Sequence, residues 1–171
     1  ALVGQTITST YFYRLTPGGA MAGTPNFKIY LKEVSSTDWG EFSISWATTI
    51  SGATLIYDGN PAPIVGSTAG WKNFVSSANF VYSGTKNLAV LMEYVNTTAS
   101  TALQWTYEYS GNCIDPYNYN TTKYINNTTG TPGTTLSSSA EERPYIGFDI
   151  AVSCYPPTNV TVPAGNITTT S

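Results

Sequence analysis

The stretch Asn26–Val34, NFKIYLKEV, decides the fold. Its apolar residues Phe27, Ile29 and Leu31 alternate with polar or amphipathic residues. A period of two places the apolar set on one face of a strand and the others on the opposite face. The stretch therefore predicts a strand with one buried face and one wet face, as in an antiparallel sheet.

Similar short segments lie on both sides of this stretch, separated by clusters of Gly, Pro, Asn and Ser, and helical periodicity is almost absent. We predict further strands at residues 7–15, 54–57, 71–75, 79–82, 87–95, 103–109 and 145–152. About eight strands predict an all-β fold of two antiparallel sheets packed as a jelly-roll-like sandwich. A seven-stranded immunoglobulin-like domain fits less well, because the chain is longer and its loops are larger.

The alternation also predicts which side chains share a face. In residues 7–15 it places Ile7, Ser9, Tyr11, Tyr13 and Leu15 together. In residues 87–95 it groups Leu88, Val90, Met92 and Tyr94.

Gly84 lies in a turn, Ser83-Gly84-Thr85-Lys86, between two of these strands, which predicts a hairpin. Residues 110–140 are mostly Asn, Thr, Ser, Gly and Tyr, and we expect them to form a long irregular excursion.

Composition excludes several classes of partner. Charged residues make up 10% of the chain and the formal net charge is −3, without a basic stripe for nucleic acid or a polybasic cluster for lipid. No apolar run approaches the roughly 20 residues that cross a bilayer, so we expect no membrane insertion. Because the polar surface consists of hydroxyls and amides, we expect a secreted or cell-surface protein.

The two cysteines, Cys113 and Cys154, make an even count, which in a secreted protein indicates a disulfide. Two unrelated buried thiols are the alternative.

Pro156-Pro157 interrupts the C-terminal segment, and a short β-prone stretch follows it. We therefore expect a sandwich domain over residues 1–155. Residues 156–171 would be a linker or the first strand of a following module of a longer modular protein.

Several segments resemble a known family when taken in order: residues 27–31 (FKIYL), 55–59 (LIYDG), 70–74 (GWKNF), 80–90 (FVYSGTKNLAV) and 143–148 (RPYIGF). This order resembles the jelly-roll modules of large Bacteroidetes surface proteins exported by the type IX secretion system. The cleaved adhesin domains of gingipains are distant relatives of those modules. Residues 154–160 and 166–171 resemble the opening of a fibronectin type III domain. The resemblance implies adhesion, surface filaments or carbohydrate contact.

Catalytic signatures are scarce. The chain has no histidine, which excludes His-based acid–base chemistry and His-ligated metals. Glu93 and Glu108, each in an aromatic-rich strand, are the candidate pair for glycoside hydrolysis if they face each other on a sheet. The alternative is that both point to solvent. We expect a non-enzyme.

Calcium is the candidate cofactor, since it takes carboxylate, carbonyl and amide oxygens. Asp38, Asp58, Asn60 and Asp115 lie in or beside loops that could supply such ligands. Solvated turn residues are the alternative.

Aromatic platforms stack on the apolar faces of sugars. The candidate ligand-binding residues are Trp105, Tyr107, Tyr117, Tyr119 and Tyr124, which would serve a protein contact equally well. Trp39, Trp46 and Trp71 are alternatives, and we assign Trp71 to the core.

The leading expectation is a non-enzymatic adhesion or surface-filament module that acts through loop aromatics and amides. Its partners would be other copies or modules of the same surface protein, with the β-prone tail as a strand donor in homotypic assembly. A carbohydrate-binding module attached to a secreted hydrolase is the alternative, with glycans as partners.

Overall fold

A computed structural model describes residues 2–19, 21–96, 98, 104–109, 119–126 and 133–151. In these residues the strands are β1 (Thr6–Arg14), β2 (Asn26–Val34), β3 (Ile44–Ser45), β4 (Thr54–Gly59), β5 (Gly70–Val81), β6 (Asn87–Val95), β7 (Tyr107–Tyr109), β8 (Thr122–Tyr124), β9 (Thr135–Leu136), β10 (Ser138–Ala140), β11 (Glu142–Pro144) and β12 (Ile146–Ile150). Two short helices complete the described elements: α1 (Trp46–Ile50) and α2 (Ala62–Val65).

Two antiparallel sheets form the body of the protein. Sheet A has the strand order β12-β1-β5, and sheet B has the order β4-β2-β6. Three two-stranded ribbons accompany them: β3 with β9, β7 with β11, and β8 with β10. The predicted all-β, two-sheet antiparallel sandwich is confirmed.

Aromatic rings from both sheets meet in the core. Phe12 and Phe74 of sheet A pack edge-to-face with Phe27 of sheet B, with ring centroids 6.2 and 5.2 Å apart. Ile29 and Leu31 of β2 are fully buried beside them. Burying one such side chain contributes about 1.5–3 kcal/mol, so the inward face of β2 is a principal source of stability. The face predicted from NFKIYLKEV is confirmed.

Strand β1 carries a β-bulge. Between Ile7 and Ser9 the paired residue on β12 moves by a single position, from Ile150 to Asp149. The extra residue of β1 reverses the side-chain alternation beyond it. Ile7 is buried before the bulge, whereas Phe12 is buried after it.

The predicted common face of residues 7–15 is therefore wrong. Beyond the bulge the inward side chains are Thr10, Phe12 and Arg14, while Tyr11, Tyr13 and Leu15 lie on the opposite, outer face. The prediction failed because strict alternation assumes a regular strand.

The predicted hairpin around Gly84 is also wrong. β5 pairs with β1 in sheet A, and β6 pairs with β2 in sheet B. The turn therefore carries the chain from one sheet to the other. The sequence signal identified the reversal but could not identify the strand that each arm would join.

Two further boundaries differ from prediction. Residues 71–75 and 79–82, expected as separate strands, belong to the continuous strand β5 or follow it directly. The interval 110–140, expected to be irregular, contains β8, β9 and β10 among its described residues. Short pairings of two or three residues leave too little alternation to be recognised in a sequence rich in Ser and Thr.

The segment of β3 and α1 covers part of the outer face of sheet B. Lys32 Nζ donates to the carbonyl oxygens of Thr49 and Ser51, at 3.1 and 2.7 Å. Ala89 pairs with Lys32 and therefore points to the same face, where it is buried. Leu88, Val90, Met92 and Tyr94 share the opposite, inward face of β6, as predicted.

Some predictions fall outside the described residues: the disulfide partners Cys113 and Cys154, the domain boundary at 155 and the tail 156–171. Within the part that is described, no helix has the length and apolarity needed to span a membrane.

Candidate functional site

The outer face of sheet A carries a row of aromatic side chains, which we call the aromatic face. Its rings are those of Tyr11 and Tyr13 on β1 and Trp71 on β5, and Gly147 and Asp149 of β12 complete the face beside them. The β1 bulge places both tyrosines on this face. The pairing of Tyr13 with Trp71 and of Tyr11 with Gly147 sets their order across the three strands.

Trp71 is the centre of the aromatic face, and 52% of its surface is exposed. Its ring extends across β1 toward β12, where a Cβ placed on Gly147 would lie 3.8 Å from the ring atom Cζ3. The missing side chain of Gly147 leaves the space into which the indole extends. The ring therefore lies across the sheet as a platform.

Tyr13 supports this platform from the side. Its ring centroid is 5.3 Å from that of Trp71, and the two planes meet at 86°. Edge-to-face pairs of this kind contribute about 0.5–1.5 kcal/mol beyond the area they bury. The contact restricts the indole orientation, while about half of the Trp71 surface stays exposed.

A polar pair lies beside the rings. The Tyr11 hydroxyl donates a hydrogen bond to Asp149 Oδ2. This hydrogen bond, together with burial and the negative charge of Asp149, raises the pKa of Tyr11 above its ordinary value. The hydroxyl stays protonated at neutral pH, and the carboxylate keeps free lone pairs for another donor.

Sequence reasoning missed Trp71, which it assigned to the core. A usable signal was present: Trp71 and Phe74 are three positions apart, so a regular strand places them on opposite faces. Phe74 is buried and Trp71 is half exposed.

The described members of the predicted ligand-binding set differ in burial and lie on separate elements. Trp105 is half-buried and packs edge-to-face on Phe12, 6.2 Å between centroids, as part of the core. Tyr107 lies on β7, and Tyr124 on β8, which belong to different ribbons. Tyr119, 63% exposed, precedes β8, and Tyr117 lies outside the described residues.

The predicted calcium ligands are placed as follows. Asp38 Oδ1 accepts from the backbone N–H of Gly40 at 2.9 Å, and Asn60 Oδ1 accepts from that of Ala62 at 2.9 Å. Asp58 Oδ1 accepts from the Asn26 side chain at 2.9 Å. These are local turn and cross-strand contacts.

Asp58 pairs with Lys28 near the start of β2, whereas Asp38 follows the end of that strand. Asp115 lies outside the described residues. Among the residues that are described, no three His, Cys, Asp or Glu side chains form a group that could hold a metal ion.

The two candidate carboxylates do not face each other. Glu93 lies on β6 of sheet B, and Glu108 lies on β7, which pairs with β11. Glu108 accepts from the Tyr145 hydroxyl at 2.9 Å. The facing arrangement that glycoside hydrolysis would require is therefore not formed, because β6 pairs with β2 and β7 pairs with β11.

No family model matches the chain, and neither a curated protein nor a solved structure matches it.

Proposed function

We propose that this protein is a non-catalytic extracellular adhesion module that recognises carbohydrate through its aromatic face. The observation that carries the proposal is the half-exposed indole of Trp71. The indole extends toward the backbone of Gly147, which has no side chain, and it packs edge-to-face with the Tyr13 ring. Aromatic rings presented in this way stack on the apolar C–H faces of pyranose sugars.

The surroundings of Trp71 suit a sugar. Asp149 accepts the Tyr11 hydroxyl and has further lone pairs for the hydroxyl of a ligand. Asn73 pairs with Tyr11 in the same register and adds an exposed amide to this face. A ring flanked by a carboxylate and an amide offers both the apolar and the polar contacts that sugars use.

The scaffold also supports binding at this place. All three strands of the aromatic face are part of one antiparallel sheet whose other face is packed in the core. The ring positions are therefore fixed before a ligand arrives, which lowers the entropic cost of binding. The low charge content and the hydroxyl-rich surface agree with an extracellular setting.

The test is a glycan array followed by calorimetry on the purified chain. Trp71→Ala is expected to weaken binding by about 30-fold or more, since truncation of a central aromatic anchor costs about 2 kcal/mol. Phe42→Ala is the matched control, because Phe42 is 85% exposed on another part of the surface. Tyr119→Ala tests the loop surface expected from the sequence.

Glycan binding that Trp71→Ala leaves intact would refute the assignment of this face. Binding lost in Tyr119→Ala alone would transfer the site to the loop surface. An array without a hit would remove the carbohydrate proposal altogether.

Homotypic assembly is the second candidate, and strand β6 favours it. β6 is a nine-residue, largely apolar strand that pairs with β2 and with no other described strand. An edge strand whose outer hydrogen-bonding groups are unpaired is a template for strand addition. Self-association measured by light scattering should disappear when residues 156–171 are deleted if the tail is the added strand; unchanged association would exclude that role.

A further inference from the structure

Arg14 is buried at one end of the sandwich, with only 2% of its surface exposed. Nη1 donates to the carbonyl oxygen of Gly66 at 2.5 Å, and Nη2 donates to that of Gly19 at 3.5 Å. Nε has no hydrogen-bond partner among the described residues. A guanidinium has five donors, so this one is under-satisfied as well as buried.

Lys72 is a second buried cation, 7% exposed, on the neighbouring strand. Its Nζ donates to Thr68 Oγ1 at 3.2 Å. Phe12 pairs with Lys72, and Arg14 pairs with Gly70, so the two cations are diagonal neighbours. Diagonal residues of this type lie on the same face, about 7–8 Å apart, and here that face is the inward one.

Neither cation has a carboxylate partner in the described part of the chain. The ion pair found there joins Lys28 to Glu93. The chain has 10 acidic residues, and Asp115 is the one that lies outside the described residues. Two like charges buried on the same face of one sheet repel each other, and each also loses its hydration. The carbonyl and hydroxyl contacts offset this cost only in part.

We propose that Arg14 and Lys72 form a binding site for an oxyanion, either a free inorganic ion or the acidic group of a sugar. One oxyanion supplies the missing negative charge and accepts from both cations. The pairing is chemically suitable because guanidinium binds oxyanions through two parallel hydrogen bonds and ammonium binds them as a point charge.

Access to this oxyanion site lies past a short turn. Gly18 and Gly19 are exposed, and Gly18 N–H donates to the Ser67 carbonyl oxygen at 3.0 Å. A Cβ on Gly18 would lie 3.0 Å from Arg14 Nη2, so the backbone of the turn lies directly against the guanidinium. The turn is exposed and lies between Arg14 and the solvent.

The experiment measures Tm of the purified chain in sodium sulfate and in sodium chloride at equal ionic strength. A saturable rise of about 5–10 °C is expected at about 100 times the Kd of sulfate. Lys72→Met should lose the saturable rise, and Lys86→Met, at an exposed lysine in the Gly84 turn, should keep it. The variants also separate binding from the general stabilising effect of sulfate, which raises Tm in every chain.

Lys72→Met should also have a Tm at or above that of the wild type when no oxyanion is added, because a buried charge without a partner is replaced by an apolar side chain. A lower Tm would mean that contacts within the chain already stabilise the ammonium, and it would overturn the proposal. An identical sulfate response in Lys72→Met and the wild type would overturn it as well.

Asp115→Asn tests whether the chain itself supplies the anion. The proposal expects the same sulfate response in this variant and in the wild type. A response that appears only after Asp115→Asn would identify Asp115 as the counter-charge and overturn the external site. Glucuronate and acetate then distinguish the source, since a sugar-acid site binds glucuronate more tightly and a free-ion site treats the two alike.

This inference is independent of the carbohydrate proposal, because the oxyanion site lies on the inward face of sheet A and the aromatic face on its outer side.

Discussion

Lys28 and Glu93 face each other across the ladder between β2 and β6, with Nζ 2.9 Å from Oε1. The other carboxylate oxygen, Oε2, accepts from Trp46 Nε1 at 3.1 Å. The hydrogen bond to Glu93 raises the pKa of Lys28 above its ordinary value. One carboxylate thus joins a cross-strand pair to the first residue of α1, where the Trp46 ring also packs edge-to-face on Tyr30.

Glu93→Ala should destabilise the protein by about 1–2 kcal/mol in urea unfolding. The substitution removes a partly buried ion pair with Lys28 and leaves the Trp46 indole N–H without its acceptor. Glu93→Gln keeps an acceptor for Trp46 and should cost less. Glu41→Ala, at an exposed acidic residue, serves as the control and should change stability by less than about 0.5 kcal/mol. Equal stability of Glu93→Ala and the wild type would show that the contact contributes nothing.

Gly147 variants test the platform geometry directly. Gly147→Ala should keep binding, because the added Cβ would meet Trp71 and Tyr11 at ordinary contact distances of 3.8 and 3.5 Å. Gly147→Leu should displace the indole and weaken glycan binding by about tenfold, or about 1.4 kcal/mol. Calorimetry and tryptophan fluorescence measure both effects. Full affinity in Gly147→Leu would mean that the ring position over β12 is irrelevant to binding.

Trp105 and Trp71 should give opposite results. Trp105→Ala removes a half-buried ring that packs on Phe12, and we expect a loss of about 2–3 kcal/mol in stability, below the range for fully buried rings. Its glycan affinity should be unchanged at a temperature where the variant is folded. Trp71→Ala should lose affinity while its Tm stays close to that of the wild type. Loss of affinity in folded Trp105→Ala would return this residue to the binding surface.

Glu33 should make stability depend on acid pH. Hydrogen bonds from the Ser83 side chain, and further ones from backbone N–H groups, lower the pKa of Glu33 below its ordinary value of 4.5. A lowered folded-state pKa stabilises the protein above the unfolded value, and this contribution is lost as the pH falls through the folded pKa.

In Ser83→Ala, the pKa of Glu33 should move up toward 4.5, as followed by NMR titration of the carboxyl carbon. Thr85→Ala is the control for the neighbouring hydroxyl, which contacts Ser83 at 2.8 Å but is not bonded to Glu33. An unchanged titration in Ser83→Ala would exclude the hydroxyl as the cause.

Gly84 and Gly40 form a matched pair for the sheet-to-sheet turn. Both have positive φ angles, 76° and 73°, so replacement by Ala costs about 1–2 kcal/mol in backbone conformation at either site. A Cβ at Gly84 would in addition overlap the Val3 side chain, whereas a Cβ at Gly40 meets nothing within 4 Å. Gly84→Ala should therefore be the more destabilising of the two in urea unfolding. An equal loss of unfolding free energy in the two variants would mean that the Val3 side chain moves aside without cost.

The fold class could be predicted because the apolar residues Phe27, Ile29 and Leu31 of β2 alternate with polar or amphipathic ones, and Ile29 and Leu31 are its buried residues. Phe27, Ile29 and Leu31 face the core as their spacing requires. β1 could not be predicted in the same way, since a bulge depends on how three strands fit together and leaves no mark in the composition of residues 7–9.

The candidate sites were harder to predict for different reasons. Trp71 was assigned to the core because large aromatic residues are usually buried, although its odd spacing from Phe74 argued against that assignment. The burial of Arg14 and Lys72 contradicts the ordinary preference of charged residues for water. Their inward direction follows from the register with Phe12 and Gly70, which is a property of paired strands and not of either strand alone.

The bulge sets the direction of all the β1 side chains that follow it. Removing one residue near Thr8 would leave the later residues of β1 unchanged in identity and reverse the direction in which their side chains point. Tyr11 and Tyr13 would then enter the interior, and Phe12 and Arg14 would face water. In related chains, a single insertion or deletion in this strand would therefore create or remove both proposed sites at once, whereas substitutions would have to change several residues.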